Sequence, residues 1–174
     1  VNIRRVEPRD ADFLLALIQH EETRPFLGSR APATRADVLA DIERQDYAWF
    51  VGEVDGEPVG CVAYEVLSDR HRIVEAGRFA IDPRHRGRGY GIALARAFQR
   101  LVLGELGFHR IELKVYGFNE RAIAHVEASG YVREGVKRRA YLKDGVWTDA
   151  VMFALTQEDL DAEPGPHRTP RQDR

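Results

Sequence analysis

The segment Arg84-His85-Arg86-Gly87-Arg88-Gly89-Tyr90-Gly91 gathers the residue types in this chain best able to do chemistry. Its alternating glycines remove side chains where a backbone must curl or let a ligand come close. The segment lies between a strand-like run and a helix-like run. The first helical turn there offers unpaired N–H groups and the positive end of the helix dipole. Together these features form an anion site suited to a pyrophosphate, and Arg84, Arg86 and Arg88 add positive charge for phosphate oxygens. A Walker loop fails because no Gly-Lys-Ser/Thr follows. A dinucleotide fingerprint fails because Ile92 stands where glycine or alanine is required. On this motif alone, an arginine–glycine RNA-binding segment and a plain basic turn both stay open.

The elements that must position this turn follow from periodicity. Ile3 to Val6 reads as a strand, and Pro8 opens a helix with Phe13, Leu14, Leu17 and Ile18 on one face, broken by Pro25 and Gly28. Thr34 with Asp37 resembles a capping box ahead of Val38, Leu39 and Ile42. Ala48–Val54 and Pro58–Leu67 form a hairpin about Asp55-Gly56, and a further strand runs Ile73–Ile81. After the turn, Leu94, Phe98, Leu101, Val102 and Leu106 mark a helix ended by Gly107, and Ile111–Val115 alternates as a strand. Asn119 N-caps a short helix with Gly130 as its left-handed cap. Strands near Val132–Tyr141 and Trp147–Leu155 close around Asp144-Gly145. This order predicts an α/β fold with a mixed, mostly antiparallel central sheet flanked by helices.

Bulk properties narrow the function classes. A chain of 174 residues, 44% hydrophobic and 31% charged, suits one domain over residues 1–161, with 162–174 a disordered Pro-rich tail. A net charge of −2 gives no reason to expect a nucleic-acid or membrane partner. Cys61 is the single cysteine, so no intramolecular disulfide can form, and its apolar strand points to a small buried thiol. The histidines show no metal-ligand spacing, so no metal is expected. With no apolar run near bilayer length and no signal-like N-terminus, a cytoplasmic location is expected. Trp49 and Phe50 read as core, with one of them able to border a substrate cleft.

Arg84-x-x-Gly87-x-Gly89, preceded by Phe79-Ala80-Ile81-Asp82-Pro83, resembles the acetyl-CoA-binding signature of the GNAT N-acetyltransferase superfamily. The likeness continues through Asn119-Glu120-Arg121-Ala122-Ile123 and Gly130-Tyr131. It then runs from Tyr141 to Asp149 and on to Phe153-Ala154-Leu155, an ending similar to the ribosomal-protein and polyamine branch. It covers about residues 3 to 160, with the N-terminal third matching in element order only.

The resemblance implies acetyl-CoA as cofactor. Backbone N–H groups of Arg86, Gly87, Arg88, Gly89, Tyr90 and Gly91 would hold the pyrophosphate, and Phe79, Ala80 and Ile81 would pair with the pantetheine arm. Asn119 would touch the cofactor as well as cap its helix. A primary amine would attack the acetyl thioester directly in a ternary complex, which requires a base. Glu75 occupies the position of the catalytic glutamate of histone acetyltransferases in this superfamily. It reads equally as a strand residue paired across the sheet. Glu21 and Glu22 would sit in the substrate loop. The usual tyrosine acid is replaced by Val126, and a serine used by some relatives is replaced by Ala122. Tyr141 is then the candidate acid, though it reads also as a packed strand aromatic, while His125 is expected to point outward. The acceptor would be a protein N-terminus or a small-molecule amine, with a slight preference for the peptide, and homodimerisation is left open. A non-catalytic acyl-CoA sensor is the alternative.

Overall fold

The computed structural model describes residues 1–27 and 32–162. Seven strands form one sheet: β1 (Asn2–Arg5), β2 (Tyr47–Val54), β3 (Glu57–Ser68), β4 (Ile73–Ile81), β5 (Arg110–Tyr116), β6 (Val132–Lys143) and β7 (Val146–Thr156). Their spatial order is β1-β2-β3-β4-β5-β7-β6. Only β4 and β5 run parallel; every other neighbouring pair is antiparallel. Helices α1 (Ala11–Gln19), α2 (Arg35–Glu43), α3 (Tyr90–Gln99), α4 (Glu120–Ala128) and α5 (Gln157–Asp161) cover the sheet.

Strand alternation sorts the core into two layers. Ala48 and Phe50 of β2 pack with Leu94 and Phe98 of α3 and Val126 of α4. Their neighbours Trp49 and Val51 pack with Leu14 and Ile18 of α1 and Val38 of α2. Trp49 and Phe50 are both core, and the β2 residue that borders the cavity described below is Tyr47 instead.

The turns obey local chemistry. Asp55 and Gly56 take φ of 51° and 82°, and Asp144 and Gly145 take 50° and 79°, the left-handed pairs of tight hairpins. Thr34 accepts the Asp37 N–H while the Asp37 carboxylate accepts the Thr34 N–H, so the capping box closes with Asp in place of Glu.

Three features depart from expectation. Helix α1 stops at Gln19, well before Pro25, because the His20 carbonyl accepts the N–H groups of Thr23 and Arg24 and turns the chain. The helix after the glycine turn widens into a π-helical segment, Arg100–Glu105, in which the Leu106 N–H reaches the Leu101 carbonyl at 2.8 Å. Helix α5 extends past the last strand, started by a Thr156–Asp159 capping box. Gly28 and residues 163–174, and with them nearly all of the expected tail, lie outside the described residues. No helix among the described residues is long and apolar enough to cross a membrane.

Candidate active site

Strands β4 and β5 pair only at Ile73↔Arg110, Val74↔Ile111 and Glu75↔Glu112, and then they part. Each keeps its outer neighbour: β4 stays on β3 as far as Gly60↔Ile81, and β5 stays on β7 as far as Tyr116↔Ala150. A bulge bends β4 away. Its register on β3 jumps between Cys61 and Ala63, and Arg78 takes a left-handed φ of 53°. Past the bulge, the Asp82 N–H donates to the Val59 carbonyl at 2.9 Å, so Asp82 and Ala80 face β3. By alternation, Phe79 and Ile81 turn their backbone groups toward the gap, where the Ile81 carbonyl accepts from Arg86 Nε at 3.2 Å. The gap belongs to a cavity of about 900 Å³.

At one end of the cavity lies the glycine turn. Gly87 and Gly89 have φ of 75° and 78°, conformations that a side chain would strain. Among the described residues, the N–H groups from Gly87 to Ile92 have no acceptor, so a row of donors faces outward ahead of α3. The arginines of the turn divide their roles. Arg84 is bound to Asp82 at 2.7 Å, which holds the Asp82 carboxyl below the usual carboxylate range. Arg86 reaches back to Glu22 and to Thr23 Oγ1, tying the turn to the segment after α1. Only Arg88 extends an exposed guanidinium with no ion pair among the described residues, so side-chain charge for phosphate is concentrated there. His85 lines the cavity with a buried Nδ1 that lacks a partner among the described residues.

His125 does not point outward. It is partly buried, its ring lies 5.0 Å from Phe79, and a Cβ on Gly91 would come within 3.1 Å of it. Burial, with the nearby charge of Arg121, pushes its pKa below the usual histidine range. The expectation failed because α4 turns this position toward α3. Asn119 lines the cavity while its Oδ1 accepts the Ala122 N–H at 3.2 Å, capping α4.

At the far end stand the candidate proton-transfer groups. Glu75 lies on the last rung before the strands part and is ion-paired with Lys114 on β5. Burial disfavours the Lys114 charge, but the bond to Glu75 and the charges of Glu75, Tyr141 and Glu112 outweigh it and raise its pKa. Tyr141, on β6, borders the same end and meets the Tyr116 ring edge-on at 5.4 Å. Val126 and Ala122 also line the cavity and bring no acid. Cys61 is fully buried, and burial pushes its thiol up to about 12. Lys114, Tyr116 and His125 were missed or misplaced by sequence reasoning. The period-2 pattern Glu112, Lys114, Tyr116 on β5 was the available signal for the first two.

The family model described as "Acetyltransferase (GNAT) family" matches residues 15–131. The chain belongs to the GNAT acetyltransferase family. As a GNAT member it is an acetyl-CoA-dependent N-acetyltransferase. Its residues fit that cofactor: a parted strand edge, a row of N–H donors and a buried His85 nitrogen, the last two without partners among the described residues, share one cavity. Several GNAT relatives can be compared. A Bacillus subtilis protein, YdaF, provisionally named a ribosomal N-acetyltransferase, is 28% identical over 94% of each chain. The Escherichia coli K12 spermidine N(1)-acetyltransferase is 28% identical over 75% of this chain and 68% of its own. The Vibrio cholerae spermidine N-acetyltransferase, solved with CoA and spermine, shares the fold. Its TM-score is 0.82 at 20% identity, over 92% of this chain and 98% of that one.

Proposed function

We propose that this GNAT enzyme acetylates a primary amine by direct attack in a ternary complex assembled where β4 and β5 part. Bound acetyl-CoA supplies an activated acyl thioester. The observation that carries the reading is the loss of β4–β5 pairing after Glu75↔Glu112, which leaves two strand edges facing a cavity. In this reading the exposed edge carried by Phe79 and Ile81 binds the extended arm of the cofactor as an added strand would, while Ala80 between them faces β3 and takes no part in that pairing. The N–H row from Gly87 to Gly91 takes the pyrophosphate, helped by the Arg88 guanidinium and the α3 dipole. Arg84 and Arg86 contribute shape rather than free charge, since each is bound to a carboxylate. Asn119 keeps its side-chain amide nitrogen for the cofactor while its oxygen caps α4.

Glu75 removes the amine proton. Lys114 holds Oε2 and leaves Oε1 to accept it, directly or through water. Tyr141 presents a phenolic O–H at the same end and is the candidate to return a proton to the leaving sulfur. The acceptor is a protein N-terminus or a small-molecule amine, a range that the names of the relatives support.

The test is calorimetric titration with acetyl-CoA, followed by thiol release against a panel of amines. Saturable binding and release with one amine class is the expected result. Absence of acetyl-CoA binding would overturn the proposal.

A further inference from the structure

The cavity combines two features that bear on the amine it takes. The first is charge. Among the described residues, the carboxylates lining the cavity are Glu22, Glu65 and Glu75, and each is already ion-paired, with Arg86, Arg44 and Lys114 respectively. The charge of each carboxylate is thus already balanced by a protein cation, so a substrate with several ammonium groups would find little net attraction at any of them. A cleft built for a polycation would instead present a surplus of negative potential.

The second feature is a continuous row of aromatic rings. Tyr141 stands edge-on to Tyr116 at 5.4 Å, Tyr116 stacks on Phe118 at 5.3 Å and 11°, and Phe118 meets Phe26 at 6.3 Å. These rings come from β6, β5, the β5–α4 turn and the segment after α1. No hairpin or helix periodicity alone accounts for their convergence. Phe26, Phe118 and Tyr141 remain 41%, 49% and 37% exposed, so the row is an open apolar shelf and not part of the core. Phe26, Tyr116 and Tyr141 line the cavity, and Phe118 continues the shelf outward from it.

We propose that the acceptor is a monoamine carried on an aromatic group that packs on the Phe118–Tyr116–Tyr141 shelf, and not a polyamine. The inference rests on the amine-acetylation reading above and specifies its substrate class. The amine can be borne by a free aralkylamine or by a peptide whose first residue is aromatic.

The test measures thiol release at saturating acetyl-CoA with phenethylamine and propylamine, with otherwise identical peptides beginning with phenylalanine or alanine, and with spermidine. In at least one arm the aromatic amine is expected to exceed its aliphatic counterpart, and spermidine, by roughly tenfold in kcat/KM, the scale of burying and stacking one ring. The arm that responds identifies the source. Phe118→Ala should raise KM for the preferred amine roughly tenfold with little change in kcat, Phe118→Tyr should restore it, and the acetyl-CoA Kd should stay unchanged in both. Spermidine as the best substrate, equal rates for aromatic and aliphatic amines, an unaltered KM in Phe118→Ala, or bound acetyl-CoA with no release from any amine would overturn this inference. Failure to bind acetyl-CoA at all would instead strike the amine-acetylation reading beneath it.

Discussion

Glu75 is the residue on which the proposed chemistry turns, and Lys114 is what gives it a defined position. The ion pair fixes one carboxylate oxygen at the last paired rung of β4 and β5. Glu75→Gln keeps the shape but cannot take a proton, so kcat should fall by about a hundredfold while acetyl-CoA affinity stays unchanged in calorimetry. Gly89→Glu should act on the other half of the site. It forces a side chain onto a φ of 78° and sets a negative charge in the donor row, so acetyl-CoA binding should be lost. His125 gives a pH signature. Its folded pKa is lowered by burial and by Arg121, so its contribution to stability is present above the unfolded value and is lost as pH falls. Between about pH 7.5 and about pH 5.5, the Tm of the native chain should drop further than that of His125→Gln, as scanning calorimetry would measure.

At the scale of elements, the bulge in β4 and the close approach of β3 shape the gap together. A Cβ on Gly60 would lie 2.6 Å from the Ala80 carbonyl oxygen and 2.6 Å from Ile81 Cδ1, so only glycine lets β4 lie against β3 at the residues that face the cavity. Gly60→Ala should push that part of β4 outward. We expect a loss of about 1–3 kcal/mol in urea unfolding, together with weaker acetyl-CoA binding. An effect on stability without any effect on binding would show that this contact does not position the site. On the other flank, α3 carries the donor row at its first turn and is seated through Leu94 and Phe98, both almost fully buried. The anion site is therefore held by a helix anchored in the core.

Across the whole molecule, the N-terminal strand is tied to the rest through Asp10. Its carboxylate accepts from Arg4 at 2.7 and 2.9 Å and from the Glu7 N–H at 2.8 Å, while Arg4 also bonds Glu53 on β2. The Arg4 bond keeps the Asp10 carboxyl below the usual range against the cost of burial. Its stabilisation is therefore complete above the unfolded aspartate value and is lost as pH falls through the folded one. Asp10→Ala should cost about 1–3 kcal/mol at neutral pH, and its urea midpoint should decline less steeply toward acid than that of the native chain.

The sequence by itself determined those features whose causes lie within a few residues. Asp55-Gly56, Asp144-Gly145, Thr34 with Asp37, Asn119 and Gly130 each act through local backbone geometry, and each appears where expected. The bounds of Ile73–Ile81 and the glycine turn between strand and helix were legible for the same reason, because period 2 gives way to period 3.6 around residues with special φ. Only the tertiary structure decided how residues far apart in the chain face one another. Glu75 meets Lys114, Arg86 meets Glu22 rather than open solvent, and His125 turns in against Phe79. The aromatic shelf joins Phe26 to Tyr141 across most of the chain. None of these contacts has a local signature. Each depends on strand order and on where β4 and β5 part, which are set by packing two core layers on opposite faces of one sheet.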